Sequence, residues 1–264
     1  MKFLFPLASR FIAGYNLDTA QPKIQKLLDE GYEVTIDYVG EESKTKEDVI
    51  EAASEYFRLI SVYKNTSNVG LSIKPTQLGA RVDTELCKRQ IGAIAHQASK
   101  HNMEVRLDME ASDVIGLTIE IALENKIGVA LQANHRSSKI YSIILRHYKI
   151  PVRLVKGAYR GSGYYNDEHT KIMFMYLAYY LDNVTIATHD EEILNELKFH
   201  GDFEMLYGIR RDLQKKLKSD GKVVRIYVPY GSNWFPYTLR RLKEWKNLKF
   251  VAVNMVKEFF RCTK

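Results

Sequence analysis

Eight short runs rich in β-branched residues recur along the chain, each separated from the next by a longer stretch. They are VTIDYV (34–39), VGLSIKP (69–75), VRLDME (105–110), IGVALQA (127–133), VRLVKGA (152–158), VTIATHD (184–190), FEMLYG (203–208) and VVRIYVPYG (223–231). The intervening segments, such as KEDVIEAASEYFRLISVYK (46–64) and TELCKRQIGAIAHQASKH (84–101), carry apolar residues three and four apart. That is the spacing of an amphipathic helix. Alternating strand and helix implies right-handed crossovers and a parallel sheet. Eight such units in about 250 residues match the count and size of a (β/α)8 barrel. An open doubly wound sheet would place a G-x-G-x-x-G after its first strand, and none follows VTIDYV. The expected fold is therefore a TIM-type barrel. No linker or low-complexity segment divides the chain, so residues 1–264 are expected to form one domain, with 1–33 as a helical extension.

Composition narrows the function classes. The net charge is +7, but the lysines and arginines are dispersed and no block of five or six like charges forms. That pattern argues against a dedicated nucleic-acid arm. Cys87 and Cys262 are too few for a disulfide framework. The start, MKFLFPLASRFIAG, is interrupted by Arg10, and no apolar run approaches the ~18 residues of a membrane span. A cytoplasmic location is expected. Neither H-E-x-x-H nor C-x-x-C occurs, which argues against a metal site, and G-x-S-x-G is absent as well.

In a barrel the carboxyl ends of the strands carry the active site. Here those ends read Asp37, Lys74, Asp108 with Glu110, Gln132, Arg153 with Lys156, Thr188 with His189, Glu204, and Arg225 with Tyr227. So many polar groups would bury unpaired charge unless a polar ligand or mutual pairing satisfied them. The cation excess suits ligands with phosphate or carboxylate groups. Asp108 and Glu110, two apart on a strand, would share a face. General acid–base work and an ion-pair network with a lysine both fit that pair. In YVPYGSNWFPYTLRRLKEW (227–245), Tyr237, Arg240, Arg241 and Glu244 share one helix face. A solvated basic face and an anion clamp both fit that spacing. Residues alone lead to a barrel enzyme binding an anionic cofactor or substrate.

The motifs RLVKGAY (153–159), ATHD (187–190), FEMLYGIR (203–210) and YVPYGSNWFPYTLRRLKE (227–244) together resemble the proline dehydrogenase family. SIKP (72–75), LDMEAS (107–112), TIDYVGEE (35–42) and LQA (131–133) are similar to its remaining strands, so the motifs run in order over about residues 10–255. The resemblance implies a distorted (β/α)8 barrel with the last helix over its mouth, holding non-covalent FAD. It implies oxidation of L-proline to Δ1-pyrroline-5-carboxylate, with electrons passed to a membrane quinone at the inner face of the membrane. The chain lacks an aldehyde dehydrogenase half, so the product would go to a separate pyrroline-5-carboxylate dehydrogenase.

On the same resemblance, Arg240 and Arg241 pair with the proline carboxylate, assisted by Lys74, and Tyr237 packs on the ring with Leu206 and Tyr159. Tyr227 and Asp108 look like the family's hydrogen-bonded pair beside Lys74. Arg153 lies near the flavin nitrogen that receives the hydride, and with Tyr237 is the expected catalytic pair. Gln132, Lys156, Gly157, Ala158, Thr188, His189, Asp190 and Glu204 are the expected cofactor contacts, Gly157 by close backbone approach. Glu41, or Glu42, resembles a gate carboxylate that pairs with Arg241. On the resemblance, many members of the family have Asn where this chain has Asp190 and Gln where it has Glu204. Both differences add negative charge near the flavin.

Overall fold

A computed structural model describes residues 9–40, 42–199, 201–235 and 238. Eight parallel strands close in sequence order into a barrel. They are β1 (Glu33–Tyr38), β2 (Val69–Ile73), β3 (Glu104–Leu107), β4 (Gly128–Gln132), β5 (Val152–Val155), β6 (Val184–Ala187), β7 (Asp202–Leu206) and β8 (Val224–Tyr230). Closure is made by β1 on β8, with Thr35 opposite Tyr227 and Asp37 opposite Pro229. Helix α1 (Leu17–Asp29) precedes β1. The crossovers are α2 (Lys46–Tyr63), α3 (Thr84–Ser99), α4 (Ile115–Asn125), α5 (Ser138–His147), α6 (Asp167–Tyr180), α7 (Glu191–Glu196) and α8 (Arg211–Ser219).

Local chemistry starts these helices where the sequence changes period. Asn16 and Thr45 form capping boxes with Thr19 and Asp48. Asp83, Asn166 and Asp190 accept bonds from the first-turn amides of α3, α6 and α7. Each cap satisfies amides that the helix itself cannot.

The strands alternate with period two although both faces are buried. Val34 and Ile36 of β1 join the apolar core with Tyr56, Leu59 and Ile60 of α2. The other face of β1 carries Glu33, Thr35 and Asp37. Paired across the barrel in the same register are Gly70 and Ser72, Glu104 and Arg106, Arg153, Glu204, Arg225 and Tyr227. The apolar face thus packs on the helices and the polar face fills the barrel interior. Gly128 makes that filling possible, since a Cβ there would sit 2.7 Å from Arg106 Cγ.

The strands are shorter than the apolar runs suggest. Lys74, Asp108, Glu110, Lys156, Gly157, Ala158, Thr188, His189 and Asp190 all lie just past strand ends. Those runs continue through the residues that leave the sheet. Arg225 departs from expectation in the other direction, because it is the second residue of β8 and sits at the amino end of the barrel.

Candidate active site

Nine charged groups form one alternating chain up the barrel interior. Arg225 bridges Glu33 and Glu104, and Arg106 bridges Glu104 and Glu204. Arg153 Nε donates to Glu204 Oε2 at 2.9 Å, and its Nη1 donates to Asp108 Oδ1 at 2.7 Å. Lys74 then contacts Asp108 at 3.3 Å and also pairs with Asp37. Isolated charges would be too costly in this interior, whereas alternation gives each a partner of opposite sign.

At the carboxyl end the groups converge. Tyr227 donates its hydroxyl to Asp108 Oδ2 at 2.7 Å, and Lys74 Nζ lies 3.4 Å from the same hydroxyl. Ser72 donates to Asp108 Oδ1 and receives Arg153 Nη1. The Arg153 guanidinium also stands over the Tyr227 ring, 5.1 Å from its centroid. Lys74, Asp108, Arg153 and Tyr227 therefore form one cluster. Glu110 does not share their face. The strand ends at Leu107, and Glu110 instead accepts from the backbone and hydroxyl of Thr76. Asp108 works in an ion-pair network, and the acid–base pairing of these two carboxylates does not form.

Around the rim, Gln132 closes β4 and donates to the carbonyls of Met109 and Glu110. Lys156 pairs with Asp190, which also caps α7, so the extra charge at Asp190 is matched locally. Thr188 is buried and its hydroxyl accepts from the Asp190 amide. His189 Nε2 accepts from the Leu206 amide at 3.0 Å and ties the ends of β6 and β7 together. Leu206 is half-buried, Ala158 is exposed, and Tyr159 stacks on Tyr164 with centroids 6.4 Å apart. The close approach expected at Gly157 comes from inside the protein. Its φ is +99°, and a Cβ would fall 1.9 Å from Asn134 Oδ1.

Asn134 is a residue that motif reading passed over. It is fully buried, donates to the Tyr159 carbonyl, and pairs its backbone with Lys156 and Tyr165. Its only sequence signal is its place directly after LQA. Ser72 and Arg106 also went unassigned as site residues, and Asp37 was read at its strand end without a role. Tyr237, Arg240, Arg241, Glu244 and Glu41 lie outside the described residues, as does the last helix proposed over the mouth. Glu42 pairs with Arg81, which also holds Asp113.

The two carboxylates on Lys74 differ in kind. Burial raises the Asp37 carboxyl above its ordinary value, and Lys74 offsets this only in part. Burial pushes Asp108 the same way, but Lys74, Arg153, Ser72 and Tyr227 together hold it at about 2. A lowered folded value stabilises above the unfolded value of about 3.9, and that stability is lost as pH falls toward 2. A raised value has the opposite sign, its contribution being lost as pH rises through the folded value. At pH 7, then, Asp108→Asn should cost about 2–3 kcal/mol, while Asp37→Asn should be neutral or stabilising. Urea unfolding of both variants checks this, and equal losses would refute the distinction.

Among the described residues, several buried polar atoms at this end have no hydrogen-bond partner, including Gln132 Oε1 and Arg153 Nη2. One is an acceptor and the other a donor. They fit the edge of a flavin ring, which carries an imide N–H beside acceptor atoms. No group of three or more His, Cys, Asp or Glu that could hold a metal occurs among the described residues. No helix among them is long and apolar enough to cross a membrane.

Comparison with known proteins identifies relatives of this chain. The family model described as proline dehydrogenase matches residues 20–172. Proline dehydrogenase 1 of Bacillus subtilis is 30% identical over 95% of this chain and 91% of its own length. Proline dehydrogenase of Deinococcus radiodurans is 30% identical over 96% and 91%. Among solved structures, proline utilization A from Bdellovibrio bacteriovorus, inactivated by N-propargylglycine, superposes with a TM-score of 0.81 at 23% identity. That likeness covers 94% of this chain and 34% of the larger protein, so the chain spans about a third of it, and the likeness shows the barrel fold.

Proposed function

The chain belongs to the proline dehydrogenase family, and on that footing we propose that it uses FAD to oxidise L-proline to Δ1-pyrroline-5-carboxylate and passes the electrons to a membrane quinone. Membership makes it an oxidoreductase catalysing proline oxidation, the first step of proline catabolism. The observation that carries the cofactor assignment is the pair of unpartnered buried atoms, Gln132 Oε1 and Arg153 Nη2. A bound flavin supplies the acceptor for the hydride that leaves the ring carbon beside the proline nitrogen.

The protein's own residues supply orientation and electrostatics. Arg153 is pinned by Asp108 and Glu204 through Nη1 and Nε, which fixes the direction of Nη2. Arg153 therefore offers a preorganised positive group where negative charge develops. Lys74 is held by Asp37, Asp108 and Tyr227 and assists Arg240 and Arg241 in binding the proline carboxylate. Tyr159, Leu206 and Tyr237 border the pyrrolidine ring. Gln132, Lys156, Gly157, Ala158, Thr188, His189 and Asp190 border the cofactor, Asn134 shaping that loop from beneath. Closure of Glu41 on Arg241 shields the site from water. Proline entering with a neutral amine needs no strong general base.

Contact with a membrane surface is supported by the α5–α6 face. Ile140 and Ile143 of α5 and Ile172 of α6 are at least half exposed. Arg136, Lys139 and Lys149, all exposed, lie on or beside α5, which suits an anionic lipid surface.

The test is the visible spectrum of the purified protein. Flavin bands should be present and should bleach when L-proline is added without oxygen. Colourless protein, or bands that L-proline leaves unchanged, would overturn this function. The protein should also sediment with vesicles containing anionic phospholipid and be released by Ile140→Asp. Equal sedimentation of that variant would remove this face from the membrane contact.

A further inference from the structure

Glu204 is buried in the barrel interior, and its surroundings show what its charge does. The side chain is 2% exposed and lies between two buried guanidinium groups, Arg153 at 2.9 Å and Arg106 at 3.3 Å. Arg153 already has one counter-ion on its other side, Asp108 at 2.7 Å. With Asp108 alone, its charge would be balanced by one carboxylate that Lys74 shares. Glu204 adds a second negative neighbour, and Arg106 partly offsets it from below. Arg106 in turn shares Glu104 with Arg225. The charge balance at Arg153 is thus set three groups deep in the barrel by residues far from the rim.

We propose that Glu204 is a positioning residue for proline oxidation, and that the Arg106–Glu204 pair sets how readily the bound flavin is reduced by fixing the net charge around Arg153. The inference rests on the flavin reading of the site. Three features carry it. Glu204 fixes Arg153 through Nε, leaving Nη2 as the one guanidinium nitrogen with no partner among the described residues. The pair sits in a buried interior, where charges are weakly screened and act over longer range than at a surface. Finally, reduction places negative charge on the flavin, so every fixed charge nearby favours one oxidation state. Glu204 opposes reduction and Arg106 favours it. Neither residue has to touch the flavin, because both act through Arg153.

The sign of each effect follows. Glu204→Gln keeps an oxygen to accept from Arg153 Nε and removes one negative charge. It should shift the balance between oxidised and two-electron-reduced flavin at least tenfold toward the reduced form, a rise in reduction potential of about 30 mV. Arg106→Met should shift it the opposite way by a similar factor. The charge-neutral double variant Arg106→Met/Glu204→Gln should return to within about threefold of the starting protein, since it removes one charge of each sign.

The experiment is reduction of the purified, flavin-loaded protein against a reference dye, read by absorbance, with flavin affinity measured alongside. Opposite shifts in the singles and cancellation in the double establish the assignment. A merely structural role for Glu204 would weaken flavin binding without that pattern of signs. Unchanged potentials in flavin-loaded variants would overturn the tuning role and leave the function standing, whereas a starting protein without flavin would overturn both. Should Glu204→Gln fail to fold, the potentials of Arg106→Met and of the double variant still decide the matter.

Discussion

Arg153→Met is expected to lower the unfolding free energy by about 3–5 kcal/mol and to abolish proline turnover. Arg153 is 3% exposed and serves two carboxylates at once, so its removal orphans charge on both sides. Asp108 would keep Lys74, Ser72 and Tyr227. Among the described residues, Glu204 would keep only Arg106. Removing one member of a buried ion pair typically costs this much because the remaining charge has no solvent to turn to. Methionine fills most of the volume, so a cavity contributes little. The stacking of the guanidinium over Tyr227 is lost as well. Urea unfolding at pH 7 measures the loss. The double variant Arg153→Met/Glu204→Gln should recover part of it by deleting the orphaned charge. Unaltered stability in the single variant would show that the alternating chain does not hold the barrel interior together.

That chain marks the limit of what was legible in the sequence. The eight strands could be read because β-branched runs and helical periodicity alternate. The cluster of Lys74, Asp108 and Tyr227 came from motif resemblance, and the geometry brings those residues together. Pairing across the barrel was not legible. Arg106 and Glu204 are 98 residues apart and lie on strands that are not neighbours, so only closure of the sheet makes them partners. Strand ends were misjudged for a local reason. The run at 105–110 was read as strand through Glu110, yet the backbone leaves the sheet after Leu107, so Glu110 was placed on a face it does not share. Arg225 was read at a carboxyl end although it stands near the start of its run, as the second residue of β8. Asn134 was invisible because its role lies in a three-dimensional approach to Gly157.

The same approach makes Gly157→Ala the second large effect. Gly157 has φ +99°, a region that costs a residue with a side chain on the order of 1–3 kcal/mol. The added Cβ would stand 1.9 Å from Asn134 Oδ1 and 2.6 Å from its Cγ, so something must move. Asn134 has little room to retreat. It is fully buried, its Nδ2 donates to the Tyr159 carbonyl at 2.8 Å, and its own amide and carbonyl are tied to Lys156 and Tyr165. Moving it breaks at least one of those bonds, a further cost of about 1–3 kcal/mol for a buried group. The strain falls on the segment between β5 and α6 and leaves the apolar core between strands and helices untouched. The expected result is local opening with global stability largely kept. Hydrogen exchange at the Asn134 and Tyr165 amides should accelerate by roughly a hundredfold or more, in line with a combined cost of about 2–4 kcal/mol. Flavin should be retained poorly, because Lys156, Gly157 and Ala158 would no longer hold their line along the rim. Adding Asn134→Ala should relieve the clash but remove the Asn134 bond to the Tyr159 carbonyl, so protection would return only in part. Wild-type exchange rates in Gly157→Ala would show that the loop does not depend on this contact.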